Sequence, residues 1–181
     1  GTRTAGLNRY DPQTKTFKTY RHLASDPGSL GDDTVWSIHE DRQGRLWIGT
    51  SEGLLHLFDR ETEKFTRFEL NVIKGVIFKD QIRSITEDEH GILWLATLGS
   101  GLFSFDPKTT ASENFRGEAG NENSLSNNGV FAVEADKKGG VWVATINGGV
   151  CYFDLQKRSF RRYAYSSKDP LNQGYADNFS L

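Results

Sequence analysis

The stretch Asp41-Arg-Gln-Gly-Arg-Leu-Trp-Ile-Gly-Thr50 recurs twice along the chain, as Asp88-Glu-His-Gly-Ile-Leu-Trp-Leu-Ala-Thr97 and as Asp136-Lys-Lys-Gly-Gly-Val-Trp-Val-Ala-Thr145. The tryptophans of the three copies lie 47 and 48 residues apart. A repeat of about 40–50 residues that is rich in short apolar strands is typical of the four-stranded blades of a β-propeller. The sequence therefore predicts an all-β protein built from propeller blades.

Each repeat contains the pattern of four short strands. In the unit that starts at Asp33, β-branched and aromatic residues predict strands at 34–39 and 46–50, a third strand that ends at Asp59, and a fourth at 64–68. The fourth segment is the most polar, so we expect it at the outer edge of a four-stranded antiparallel sheet. In the next unit, the distance from Asp106 to Phe115 predicts a turn with three additional residues.

The repeated tryptophans are predicted to lie in the core. A sheet with two apolar faces cannot bury either face alone, so neighbouring sheets must stack. We expect the indoles of Trp47, Trp94 and Trp142 to fill the gaps between adjacent sheets. The residue two positions later on the same strand face is always small, and we expect it to make room for the indole: Gly49, Ala96 and Ala144.

The repeat period divides the chain into about 3.5–4 blades, which is an incomplete propeller. The chain is predicted to be a single β-propeller segment over 1–181, with repeats at 1–32 (partial), 33–79, 80–127 and 128–176, and the start of another at 177–181. Gly1-Thr2 matches Gly49-Thr50, so we expect a piece of a longer polypeptide. Open blade edges at its two ends are expected to bind the rest of the parent protein or a second copy.

The composition excludes several classes of partner. Lys and Arg number 22 against 24 acidic residues, and the formal net charge of −2 gives no overall attraction to nucleic acid or to an anionic membrane. No apolar run has the length of a transmembrane segment, so direct membrane insertion is not expected. The single cysteine, Cys151, excludes an intramolecular disulfide and is predicted to be an inert buried thiol.

The titratable residues indicate neither a metal site nor a catalytic site. The four histidines lie at different repeat positions, without the spacing of a metal-binding motif. His39 and His56 are predicted on strand surfaces and His90 in a turn. The recurrent aspartates invite comparison with a calcium array or with glycosidase carboxylates. A residue that every blade carries is better explained by a turn or a strand end, so no metal, cofactor or catalytic residue is predicted.

The repeat resembles that of the two-component regulator propeller family, whose pattern is approximately V-x-x-I-x-E-D-x-x-G-x-L-W-I-G-T-x-x-G-L-x-x-F-D. The unit from Asp33 matches it at Val35, Ile38, Glu40-Asp41, Gly44, 46–50, Gly53-Leu54 and Phe58-Asp59. The resemblance implies a periplasmic, seven-bladed sensor propeller of a bacterial two-component or hybrid histidine kinase system. In that family a β-sandwich, a membrane helix and an output domain normally follow, and several members respond to oligosaccharides.

Candidate ligand-binding residues are those that differ between blades on one face, where the second-to-third and fourth-to-first strand loops gather. Nonrepeated residues of the first strands join them near the central channel. Their rings, guanidinium groups and amides would suit a carbohydrate or another small ligand. The candidates are Trp36, Arg83, Phe131, Arg3, Glu52, Asn147, Lys74, Asn128, Lys79 and Asn127.

Two functions other than ligand sensing stay open at this point. The blades are also suited to a protein-interaction scaffold. A propeller enzyme similar to streptogramin lyase is the further alternative, and it requires a nonrepeated histidine with acidic partners on the top face. His22 is the only histidine in a candidate top loop.

Overall fold

The computed structural model describes residues 1–70, 79–136 and 138–163, and every regular element in these ranges is a β-strand. A two-stranded sheet, β1–β2, is followed by three four-stranded antiparallel sheets, β3–β6, β7–β10 and β11–β14, each arranged in chain order. One half blade and three complete blades confirm the predicted all-β class and incomplete propeller. The strands are β1 (Leu7–Asp11), β2 (Thr16–Tyr20), β3 (Val35–Glu40), β4 (Leu46–Thr50), β5 (Leu54–Phe58), β6 (Phe65–Glu69), β7 (Ile82–Glu87), β8 (Leu93–Thr97), β9 (Gly101–Phe105), β10 (Ser112–Phe115), β11 (Val130–Ala135), β12 (Gly140–Thr145), β13 (Gly149–Asp154) and β14 (Ser159–Tyr163).

The fourth strand of each complete blade lies at the outer edge, as predicted. The predicted three-residue insertion after Asp106 is wrong. Phe105 pairs with Ser112 just as Phe58 pairs with Phe65, so both turns have the same length. The error arose because Phe115 was equated with the first aromatic residue of the other fourth strands, whereas Ser112 takes that position.

Two of the three repeated tryptophans lie between blades, as predicted. Trp47 is 1% exposed, and its ring centroid lies 5.7 Å from that of Phe105 in the following sheet. Trp94 is 3% exposed and lies 5.2 Å from Phe153 of the sheet that follows it. Each indole thus closes an apolar cluster shared by two neighbouring sheets.

The prediction is wrong for Trp142, which is 40% exposed. Its ring contacts Tyr152 and Tyr163 of its own sheet, at centroid distances of 4.8 and 5.5 Å. In the described part of the chain, no sheet follows β11–β14 to cover this face. The repeat motif places the indole on a sheet face, but burial requires a neighbouring sheet.

At the first of these small positions, Gly49 makes room for the adjacent blade. A Cβ atom on Gly49 would lie 2.6 Å from Cγ2 of Ile82 and 2.3 Å from Oγ of Ser37. The Ser37 hydroxyl donates a hydrogen bond of 2.8 Å to the Ile82 carbonyl. The absent side chain therefore lets the innermost strand of the next blade approach closely.

The aspartate that opens each repeated stretch organises the turn, as expected of a structural residue. Asp41 Oδ1 accepts hydrogen bonds from the backbone N–H groups of Gln43 and Arg45, and Oδ2 accepts one of 2.8 Å from Trp47 Nε1. Asp88 bonds Trp94 Nε1 in the same way. Burial acts to raise the pKa of Asp41, but the bonds from Trp47 and Arg45 outweigh it and lower the pKa. The bond to the indole was not predicted from the sequence.

The third turn uses its aspartate differently. Asp136 Oδ1 accepts bonds from the N–H groups of Lys138 and Gly140, as in the other turns. Its carboxylate also bonds the hydroxyl of Tyr152, whose pKa is raised by burial and by this contact. The turn is therefore retained in the blade whose tryptophan is uncovered.

The prediction that His56 lies on a strand surface is wrong, because its side chain is 0% exposed. Nε2 accepts a 3.0 Å bond from Gly31 N–H, so Nδ1 carries the proton and faces the Ile48 carbonyl at 3.3 Å. Burial lowers the pKa of His56 to about 4. Its counterpart in the last blade is Cys151, a buried thiol as predicted.

His39 and His90 differ in exposure. His39 is half-buried on β3, and its Nε2 is a buried atom without a hydrogen-bond partner. His90 is exposed in the turn between β7 and β8, as predicted.

Arginines of two outermost strands fasten the loop that enters their own blade. Arg67 on β6 donates hydrogen bonds to the carbonyls of Asp26, Ser29 and Leu30. Arg162 on β14 makes the same contacts with the loop before β11, to the carbonyls of 121, 124 and 125. We call each of these contacts an arginine clasp.

Candidate functional site

A β-bulge interrupts the innermost strand of each complete blade at the same place. Val35 pairs with Thr50 and Ser37 with Gly49, so the residue between them, Trp36, has no partner in the ladder. Arg83 in β7 and Phe131 in β11 occupy the equivalent bulge positions. A bulge leaves its extra residue unpaired and redirects its side chain. The fold thus presents three different side chains from one repeated backbone feature.

These side chains meet in a row. The Arg83 guanidinium carbon lies 3.9 Å from the centroid of Trp36 and 5.8 Å from that of Phe131. Arg3, from the loop before β1, lies 5.0 Å from the same Trp36 ring. Such distances are typical of cation–π contacts. We call Arg3, Trp36, Arg83 and Phe131 the guanidinium–aromatic row.

Hydrogen bonds from neighbouring loops fix the row in place. Trp36 Nε1 donates a bond of 2.8 Å to Ser51 Oγ. The Arg3 carbonyl accepts a bond of 2.8 Å from Thr34 Oγ1. The indole at the centre of the row is therefore held by its polar edge, and both guanidinium groups lie within 5.0 Å of its ring centroid.

The electrostatics of the row are those of two neighbouring cations. The pKa of Arg83 is lowered, first by burial and then by the positive charge of Arg3. Asp80 acts in the opposite direction and more weakly. The Asp80 carboxylate is itself engaged by the N–H groups of Gln81 and Gly99. Such a site favours an added negative charge.

The remaining candidate residues are placed elsewhere. Glu52 and Lys79 form an exposed ion pair of 2.9 Å. Asn128 Oδ1 accepts a bond from Gly117 N–H, and Asn127 Oδ1 accepts one from Gly129 N–H, so both amides hold their own loop. Asn147 lies in the β12–β13 turn with a positive φ of 56°. Lys74 lies outside the described residues.

Two residues of this site were missed in the sequence. Ser51 accepts the hydrogen bond from the Trp36 indole, and the Asp80 charge partly offsets the positive charge on Arg83. Each of the two lies in a loop without a recognisable motif. Ser51 directly follows the repeated Thr50, where the other blades carry Leu98 and Ile146. That difference between blades was an available signal for Ser51, whereas no comparable signal marks Asp80.

The acidic residues and His22 bear on the metal and lyase alternatives. Over residues 1–70, 79–136 and 138–163, no group of three or more His, Cys, Asp or Glu side chains could hold a metal ion. His22 directs Nδ1 to the Leu30 carbonyl at 2.9 Å. The nearby Asp33 carboxylate is engaged by Arg21 and by the backbone N–H of His22. The hydrogen bond between these two residues thus involves the backbone of His22 and the Asp33 carboxylate.

Two surface depressions lie away from the row. One of about 370 Å³ is lined by Asp136, Lys138, Trp142, Tyr152 and Tyr163 on the uncovered face of the last sheet. The other, of about 670 Å³, lies between the second and third complete blades, with Trp94 and Arg158 in its lining. In the ranges that the structure describes, no helix is long and apolar enough to cross a membrane.

Comparison with protein families identifies the repeat. The model of the two component regulator propeller matches three times, at residues 29–52, 77–99 and 124–147. Each match includes the first and second strands of one complete blade and its repeated tryptophan. Three segments of the chain thus match this propeller repeat. No curated protein matches the chain.

Solved structures of similar fold include two extracellular domains from B. thetaiotaomicron. The extracellular domain of a putative one component system is 27% identical with a TM-score of 0.65, over 88% of this chain and 19% of that one. The corresponding domain of a putative hybrid two component system is 23% identical with a TM-score of 0.59, over 94% and 27%. PorZ of Porphyromonas gingivalis, a component of the type-IX secretion system, is 17% identical with a TM-score of 0.63, over 90% and 25%. The chain spans less than a third of each of these structures, and the last two show the fold alone.

Proposed function

We propose that the chain is a non-catalytic, ligand-sensing segment of the propeller of a bacterial two-component sensor, located in the periplasm. The three matches to the two component regulator propeller support a sensing role. The similar extracellular domain of a putative one component system supports a location outside the cytoplasmic membrane. The ligand that we propose is an oligosaccharide.

The guanidinium–aromatic row is the observation that carries this proposal. Sugar rings stack their C–H faces on aromatic side chains, and guanidinium groups donate hydrogen bonds to sugar oxygens. Trp36 and Phe131 supply aromatic rings, and Arg3 and Arg83 supply donors, within one set of contacts. The residues come from four consecutive blades and lie at positions that the repeat does not fix.

Isothermal titration of the chain with a panel of plant and host oligosaccharides tests the proposal. We expect Trp36→Ala to weaken binding of the active oligosaccharide by about tenfold or more, because a stacking surface is lost. Trp142→Ala is the matched control, since it removes an accessible indole from outside the row. Equal losses in the two variants would contradict a ligand site at the row.

A protein-interaction surface is a second candidate function, favoured by the uncovered aromatic face of the last sheet. Trp142 and Tyr163 are each 40% exposed there, and Val150 is 39% exposed. In the other two complete blades the equivalent face is covered by the sheet that follows. We therefore propose that a further part of the parent sensor or a second copy binds here.

Light scattering after size-exclusion chromatography tests this second function. We expect the chain to show a mass that rises with concentration, and Trp142→Glu to abolish the rise. Trp36→Glu serves as the control for added charge. A constant monomeric mass for the unmodified chain would contradict association of two copies.

A further inference from the structure

Among the described residues, the two guanidinium groups of the row have no acidic partner, unlike several other arginines. Among the described residues, Arg21, Arg42, Arg60 and Arg158 each lie within 4 Å of a carboxylate. No ion pair of the described residues involves Arg3 or Arg83. Arg83 Nε is buried and has no hydrogen-bond acceptor. Buried polar groups of folded proteins are normally satisfied, so this donor calls for an explanation.

The charges around the row do not cancel. Arg3 and Arg83 act on each other as like charges, and among the described residues Asp80 is the carboxylate that acts on Arg83. The nearby Lys79 is neutralised by Glu52, at 2.9 Å. One positive charge is therefore in excess, and its cost is raised by the partial burial of Arg83.

A ligand with one negative charge would compensate this excess. A guanidinium group binds carboxylate and sulfate oxygens through two parallel N–H donors, a geometry that a neutral hydroxyl does not match. Trp36 and Phe131 add apolar surfaces beside these donors. The ligand should therefore combine a flat nonpolar face with an anionic group.

We infer that the row binds an acidic sugar, whose carboxylate or sulfate group pairs with Arg83 and Arg3 while its ring stacks on Trp36. The inference rests on the proposed function and names the class of its ligand. It also excludes extended polyanions, because two cations on a chain of net charge −2 do not attract a nucleic acid.

Three sugars of similar size test the inference when each is titrated into the chain. A galactotriose with one residue oxidised to the uronate carries a single carboxylate, its methyl ester is uncharged, and galactotriose monosulfate carries a single sulfate group. We expect at least one anionic sugar to bind about 10- to 100-fold more tightly than the ester, as expected for a charge-assisted hydrogen bond. The tighter of the two anionic sugars identifies the group that the row prefers.

Variants of Arg83 test whether the preference for an acidic sugar comes from the row. Arg83→Gln should remove the advantage of the acidic sugar over the ester, and Arg83→Lys should restore part of it, because lysine keeps the charge without the planar donors. Arg161→Gln is the matched control: Arg161 also lies over an aromatic ring, that of Tyr163, but is exposed on the outermost strand. Unchanged melting temperatures would show that each variant is folded.

The possible results separate the inference from the function on which it rests. If the ester binds as tightly as the acid and Trp36→Ala weakens both, the row senses neutral sugars and the inference is overturned. If Arg83→Gln and Arg161→Gln reduce the preference equally, the charge requirement lies elsewhere and the inference is again overturned. If no oligosaccharide binds at all, the proposed function fails together with it.

Discussion

Trp94 and Trp142 occupy the same position of the same repeated stretch, yet one is 3% and the other 40% exposed. Trp94 lies against Phe153 of the following blade and donates a hydrogen bond to Asp88. Trp142 lies against two tyrosines of its own sheet. The difference teaches that the motif fixes where an indole is placed, whereas its contribution to stability depends on the sheet that packs over it.

The largest difference between the two positions is expected when the indoles are removed. Trp94→Ala should lower the free energy of unfolding by about 3–5 kcal/mol, since it leaves a cavity between two sheets. Trp142→Ala should cost about 1 kcal/mol, the value of its contacts with Tyr152 and Tyr163. Urea unfolding of both variants measures this. Similar costs would mean that the face around Trp142 is covered in solution.

Lowering the pH should destabilise a covered sheet face, because such a face contains the buried titratable residue His56. Its pKa of about 4 in the folded chain lies below the ordinary 6.5, so the unfolded chain binds a proton more readily. The contribution of neutral His56 to the free energy of unfolding should therefore be fully present above pH 6.5. It should fall by up to about 3 kcal/mol as the pH decreases toward 4.

The variant His56→Gln keeps an acceptor for Gly31 N–H and provides the control for this acid effect. Unfolding midpoints measured between pH 7 and pH 4 should fall less steeply in the variant than in the unmodified chain. Parallel pH profiles would show that His56 does not carry the effect.

The smallest expected difference concerns the aspartates of the two turns. Asp88→Asn should cost about 1–3 kcal/mol, because an amide N–H₂ in place of Oδ2 leaves the buried Trp94 N–H without its acceptor. Asp136→Asn should cost less, since the carboxylate is less buried and its contact with Tyr152 lies beside solvent. Thermal unfolding of both variants measures the two losses of stability. A larger loss for Asp136→Asn would contradict this ranking.

Most of the fold could be predicted from the sequence because the repeat is local. The second strand of the first complete blade was predicted at its observed bounds, 46–50, and the turn aspartates behave as Asp residues in turns commonly do. The exposure of Trp142 could not be predicted, since it depends on which sheet lies next to it.

Other errors came from judging a residue by type rather than by repeat position. His56 lies six residues after Thr50, as Phe103 and Cys151 lie six residues after their own threonines, and both of those are buried. That comparison would have placed the histidine in the core. The prediction relied on histidine being a polar residue type. The position within the repeat is the better guide to burial.

The candidate site was predicted only in part. Arg3, Trp36, Arg83 and Phe131 were correctly singled out as nonrepeated residues, and the structure brings them into contact. Their convergence depends on three bulges, which the sequence does not reveal because the bulge changes the pairing and not the residue pattern. The ligand-binding role of the row stays a prediction.

The arginine clasps have a mechanical consequence. The loop from Arg21 to Thr34 leaves the outer edge of one blade and enters the inner edge of the next, and Arg67 fastens it to that next blade's rim. Bending at this seam would have to break several bonds to one guanidinium group at once. Adjacent blades joined in this way should move together as rigid bodies. A displacement of the inner strands, caused for example by a bound ligand, should therefore be transmitted to the outer strands with little change in the angle between blades.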